Sequence, residues 1–88
     1  MHTGRWSVVI DLTEDDGLTS AKAVLQTKAA RSLTGHGSAR CNPRDMNVPE
    51  IGDELAAARA LSDLAHQLLD TAASDIEGVT HKPAHLSG

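Results

Sequence analysis

The run 50–73 constrains this chain more than any other feature. It carries no proline, holds glycine only at Gly52, and repeats apolar side chains at helical spacing. Asn47 is a good N-cap, and Glu50 stands three residues on, as in a capping box. Pro49 fits a first turn, whose N–H groups lack partners in any case. Glu50, Asp53 and Glu54 crowd the positive end of the helix dipole. The sequence therefore predicts a long helix over 47–73. Ser74-Asp75-Ile76-Glu77 is a second capping box, which predicts a break there and a short helix over 74–79, kept short by Gly78.

Set at 100° per residue, the apolar positions of the long helix fill an arc of about 220°. The arc runs from Ala60 through Leu64, Ala57, Leu68 and Leu61 to Ile51 and Leu55. His66, Arg59, Asp70, Asp63 and Gln67 hold the polar side. A helix lying on one sheet needs an arc of roughly 100° or somewhat more. The excess needs another cover, in part the C-terminal turn around Ile76 and Val79 and for the rest a second subunit. Length agrees, since such a helix spans about 36 Å and an eight-residue strand about 26 Å. The expectation is a homodimer, with Ala57, Ala60, Leu61, Leu64 and Leu68 at the interface, Leu64 and Leu68 lying on the flank of the arc away from Ile51 and Leu69. Glu54 and Ser62 interrupt the arc. Glu54 is read as a first-turn carboxylate reaching solvent, with an arginine partner across the dimer as the alternative.

Ahead of the helix the period changes to two. Residues 5–12 alternate, with Trp6, Val8, Ile10 and Leu12 on one face. Glu14-Asp15-Asp16-Gly17 is a turn, its glycine free to take positive φ. Residues 19–27 place Ala21, Ala23 and Leu25 inward. Residues 31–41 place Leu33, Gly35, Gly37, Ala39 and Cys41 inward. Glycine weakens a strand, and the reading for Gly35 and Gly37 is the close approach of a helix. Residues 5–41 thus predict an antiparallel meander and 80–88 a tail. The fold class is α+β, a two-layer βββαα arrangement, in a single domain spanning 1–88.

Composition bounds the function. Apolar residues make up 40% of the 88, too many for a disordered chain. The longest wholly apolar run, Leu55 to Ala58, is too short for a membrane span or a signal-peptide core. One cysteine excludes an internal disulfide and fits a reducing cytoplasm. Trp6 is the lone aromatic residue, which leaves no stacking platform for nucleobases. Charge is polarised: residues 1–44 hold six basic and four acidic side chains, residues 45–88 two and eight.

Catalytic and metal chemistry find little support. His81 and His85 have i, i+4 spacing, but Pro83 lies between them in a tail. Cys41 is read as a small core residue and His66 as a solvated one. Thr34-Gly35-His36-Gly37 lacks the lysine and hydroxyl ending of a phosphate loop. Asp63 and Asp70 lie on an exposed helix face with no pocket to shift a pKa. The expectation is a non-enzyme with no cofactor, no metal and no small-molecule substrate. The outer sheet face gathers Arg5, Lys22, His36 and Arg40, which suits phosphate or RNA contact.

The segment Asn42-Pro43 … Asp45 … Asn47-Val48-Pro49-Glu50-Ile51-Gly52-Asp53-Glu54-Leu55 … Ala58-Arg59-Ala60-Leu61-Ser62-Asp63-Leu64-Ala65 resembles a small actinobacterial family of unknown function. The likeness extends to Trp6, Asp16-Gly17, Gly35 to Arg40, and Asp75-Ile76-Glu77 … Thr80-His81 … Pro83. It implies a βββα core with a further helix, likened to double-stranded-RNA-binding domains, and a homodimer. Related mycobacterial proteins are associated with hypoxia and dormancy, and a dimer of one looks like ribosome hibernation-promoting factors. That is a likeness of shape. Relatives often carry arginines where this chain has Ser20 and Val24. The functional expectation is a cytoplasmic, non-enzymatic stress or dormancy factor acting on the ribosome. The alternative is a protein-interaction module using the acidic helix face, with Arg59, Asp63 and Asp70, or a sheet edge.

Overall fold

Asp16 and Gly17 both sit at positive φ, 52° and 78°. Both central residues of a type I′ turn require this, and Asp-Gly is among the pairs that supply it. The turn is therefore only two residues long, and Glu14 and Asp15 stay in the ladder. Strand β1 runs Ser7–Asp15 and pairs antiparallel with β2, Leu18–Gln26. This is three residues further than the acidic cluster suggested. β3, Leu33–Arg40, pairs antiparallel with β2, and the sheet order is β1-β2-β3. One helix, α1, follows over Pro49–Thr80. The computed structural model describes residues 1–28, 32–40 and 49–80. Cys41, Asn47, His81 and His85, with the readings attached to them, lie outside the described residues.

The separate short helix expected over 74–79 is instead part of α1. Ser74 follows Ala72 and Ala73, strong helix formers, and no glycine or proline lies between Gly52 and Gly78. Breaking the backbone ladder to free Ser74 as a cap would cost more than the cap returns. The chain is thus an α+β, two-layer βββα fold.

The inward faces of β2 and β3 match the alternation. Ala21, Ala23, Leu25 and Ala39 are buried, and Gly35 with them. The helix seats on these two strands and barely reaches β1. A Cβ on Gly35 would stand 2.9 Å from Leu64 Cβ and collide with the Ala60 carbonyl. One on Gly37 would stand 2.5 Å from the Ala56 carbonyl oxygen. Both glycines are there to let the helix backbone lie directly on β3.

The seat is not the one the helical wheel suggested. Ala56 and Ala60 are fully buried and Leu64 is 3% exposed, so these three form the helix side of the core. Ile51 is 53% exposed and Leu55 45%. Ala60 and Leu64, expected at a dimer interface, are therefore interior. Leu61 is exposed, while Ala57 and Leu68 are half-buried. Size explains the choice. At Ala56 and Ala60, where the helix backbone lies on Gly37, a leucine or isoleucine would hold the two backbones apart, whereas alanine allows close packing. Polar groups flanking this ridge supply the second reason.

Candidate functional site

β3 is an edge strand, and half of its backbone groups point away from β2. The polar side of α1 meets them. The His36 N–H donates to Asp63 Oδ2 at 2.8 Å. Arg59 Nη1 donates to the Ser38 carbonyl at 2.7 Å, and Gln67 Nε2 to the Thr34 carbonyl at 2.8 Å. Gln67 Nε2 also reaches Asp63 Oδ2 at 3.2 Å. Three side chains at successive turns of one helix thus close the edge. The backbone N–H of His36 is the largest reason that the Asp63 carboxyl is held below its ordinary value. Partial burial opposes it, and Gln67 and the His36 and His66 rings add to the lowering. His66 Nδ1 lies 2.8 Å from the Ser62 carbonyl, so that nitrogen carries the proton.

Arg59 and Asp63 are therefore tied into the fold rather than offered to a partner. Asp70, one turn beyond Gln67, is exposed. Of the acidic helix face proposed as an interaction surface, only this outer part remains.

Among the described residues, no element packs on the opposite face of the sheet. Lys22, His36 and Arg40 are exposed on it, around a shallow depression lined by Ser20, His36 and Ser38. Lys22 stands in register with His36 on one side and Asp11 on the other. Arg40 is opposite Leu18, whose other neighbour is Asp15. The face is thus split lengthwise, with cations on β2 and β3 and carboxylates on β1. Arg40 is four residues along the ladder from Lys22, about 13 Å. Arg5 precedes β1 at the far end from Arg40 and does not join the other three.

Two apolar surfaces are also bare. On the helix side of the sheet, Val8 and Leu12 are each 42% exposed, because α1 does not extend over β1. Along α1, Ile51, Leu55, Leu61, Ile76 and Val79 face away from the core. Alternation had placed Val8 and Leu12 on the inner face correctly but could not show that the inner face is only partly covered. Among the described residues, no group of three histidine, cysteine or acidic side chains is arranged to hold a metal ion, and no helix is long and apolar enough to cross a membrane.

Residues 4–85 match the family model described as Rv2632c-like. The chain belongs to the Rv2632c-like family. Its similarity to the uncharacterized protein Mb1767 of Mycobacterium bovis is 56% identity over 81 residues, covering 92% of this chain and 85% of that protein. With the uncharacterized protein Rv2632c of Mycobacterium tuberculosis it is 51% identical over 83 residues, covering 93% and 88%. The crystal structure of Rv2632c superposes with a TM-score of 0.82 at 49% identity, over 93% of this chain and 98% of that one. These Rv2632c-like relatives are of unknown function, and their names add no ligand or partner to the surfaces above.

Proposed function

We propose that the protein is a non-enzymatic homodimer that binds phosphate-rich RNA, that of the ribosome, and so acts in the cytoplasm as a stress or dormancy factor. The observation that carries this reading is the split outer face, where Lys22, His36 and Arg40 lie exposed on β2 and β3 and the helix leaves them open. A flat cationic strip with hydroxyl groups between the cations suits a phosphate backbone and no small substrate. Little base specificity is expected, because the strip has no aromatic side chain to stack on. The bare apolar surfaces support the dimer. The shifted carboxyl, Asp63, closes a strand edge, which argues for a structural role over general acid or base chemistry.

The test is binding to purified ribosomal subunits across a salt series. Lys22 and Arg40 from each of two chains set the slope of log K against log salt at about −4 at most. Lys22→Ala with Arg40→Ala should weaken binding at an unchanged melting point. Asp11→Ala should strengthen it by removing the carboxylate beside Lys22. Absence of salt-sensitive binding refutes the RNA reading. The protein-interaction reading would then stand on Asp70 and the exposed apolar stripe.

A further inference from the structure

Hydrogen bonds to α1 fix how the outer face of the sheet is built. The His36 N–H and the Ser38 carbonyl both point away from β2, toward Asp63 and Arg59 of α1. In an antiparallel ladder this makes Lys22 with His36, and Ser20 with Ser38, the non-hydrogen-bonded kind of pair. Side chains of such pairs stand close, with Cβ atoms about 4.5–5.5 Å apart. The two pairs are neighbours on one face, about 7 Å apart along the strands. The second pair and the His36 ring border a shallow depression floored by Ala21 and Gly37, and Lys22 stands at its rim. One ammonium, one imidazole and two hydroxyls are thus gathered, and all four can donate to an oxygen.

Without the imidazole, the strand residues of this face carry no net charge. Lys22 and Arg40 stand against Asp11 and Asp15, and Asp11 is directly opposite Lys22 on β1. Imidazole is the one side chain here whose charge ordinarily changes between about pH 5 and pH 8. Around it stand Lys22 from β2 with Asp11 beyond it on β1, Arg40 further along β3, and Asp63, Arg59 and His66 from α1. Carboxylates and cations therefore face the ring from both layers. When protonated, the ring gains a second N–H donor and turns a neutral face cationic. It also stands beside the Lys22 ammonium, a pair of like charges that an anion between them relieves.

We propose that Lys22, His36, Ser20 and Ser38 form a site for one phosphodiester of an RNA chain, completed by the charged form of the His36 ring, so that binding strengthens as pH falls through the imidazole range. This inference rests on the RNA reading above and adds its regulation. The depression is shallow, which suits a phosphate carried on a chain and held again at Arg40, about 13 Å away. A small free anion would need a more enclosed site.

The His36 N–H that binds Asp63 belongs to the backbone, so replacing the exposed ring leaves the anchoring of α1 intact. The probe is polyuridylate, whose bases do not titrate near neutrality. Its binding is measured across a salt series at about pH 6 and about pH 8, either side of the imidazole midpoint. The wild type should bind about three- to fivefold more tightly at the lower pH, the gain of a charge-assisted over a neutral hydrogen bond. The slope of log K against log salt should steepen by about 0.5–0.7 per chain, one further phosphate on a single strand. His36→Gln should lose both changes at an unchanged melting point, and His66→Gln should behave as the wild type. His36→Lys should bind at the higher pH as the wild type does at the lower. Absence of salt-sensitive binding at either pH overturns the inference together with the RNA reading. Salt-sensitive binding that is equal at the two pH values, pH dependence that survives in His36→Gln, or a His36→Lys protein that stays weak at the higher pH overturns the site and leaves the RNA reading standing.

Discussion

Replacing Gly35 with alanine tests the seating of α1 directly. The glycine has no left-handed backbone requirement, so the added methyl group acts through contact alone. That group would stand 2.7 Å from Leu64 N and 2.9 Å from Leu64 Cβ, and closer still to the Ala60 carbonyl. Carbon atoms pack best at roughly 3.5–4.0 Å, so the helix must rise by about 1 Å. Its backbone cannot yield locally as a side chain can. A gap of that size forfeits about a quarter to a half of the dispersion contact along the ridge. It also stretches the three edge hydrogen bonds from 2.7–2.8 Å to about 3.7 Å, outside hydrogen-bonding range. Overpacking of this kind costs about 1–3 kcal/mol, and weakened edge bonds add to it. Against this stands about 0.4–1 kcal/mol from the stiffer unfolded chain. The net loss is about 2–3 kcal/mol, which for a domain this small lowers the melting temperature by roughly 10–20 °C. Thermal melts by circular dichroism read it. Gly78→Ala is the control, because nothing lies within 4 Å of its site, and it should gain about 1 kcal/mol as a helix substitution. A Gly35→Ala protein that melts at or above the wild type would refute the close seating.

Further predictions follow from the same contacts. Asp63 has a folded pKa below the unfolded value of about 3.9, so its contribution is full above that pH and is lost as pH falls through the lowered value. Melts from neutral to acid pH should therefore show the wild type and Asp63→Ala converging in strong acid, and a gap that stays constant would contradict the role. Leu64→Glu would bury a carboxylate at a site only 3% exposed, at a cost of at least about 4 kcal/mol. It should unfold the monomer by circular dichroism, and a folded, merely dissociated product would return Leu64 to an interface. Gly17→Ala, at φ 78°, should cost roughly 1–2 kcal/mol, read in the same melts, and no loss would refute the turn type.

The sheet was legible because two signals agreed there. The alternation in residues 19–27 and 31–41 set the inner face, and glycines at two inward positions, Gly35 and Gly37, announced a helix lying close. Both β3 glycines do meet helix backbone. The hairpin end was misjudged because Glu14 and Asp15 look like turn residues, while Asp16-Gly17 alone satisfies the backbone geometry. The orientation of α1 was not legible from a wheel. The wheel gives the width of the apolar arc but not which part of it a sheet will take. Here the sheet took the small residues Ala56 and Ala60, beside the polar residues Arg59, Asp63 and Gln67. Where the helix backbone lies on Gly37, alanine is favoured over leucine, and an unpaired strand edge draws in polar side chains that would otherwise be assigned to solvent. The same displacement moved the surplus apolar surface from Leu64 to Ile51, Leu55 and Ile76. For the outer face, alternation placed Arg5, Lys22, His36 and Arg40 together, and only the register revealed Asp11 beside Lys22 and Arg5 at the far end.

The polar side of α1 is spent on the edge of β3, and in the homodimer we propose its exposed apolar side is covered by a second copy of the chain. Sedimentation equilibrium of the wild-type protein at tens of micromolar tests it most directly. The account predicts a single species of twice the 9.2 kDa chain mass. A species of the single-chain mass at every concentration would contradict it.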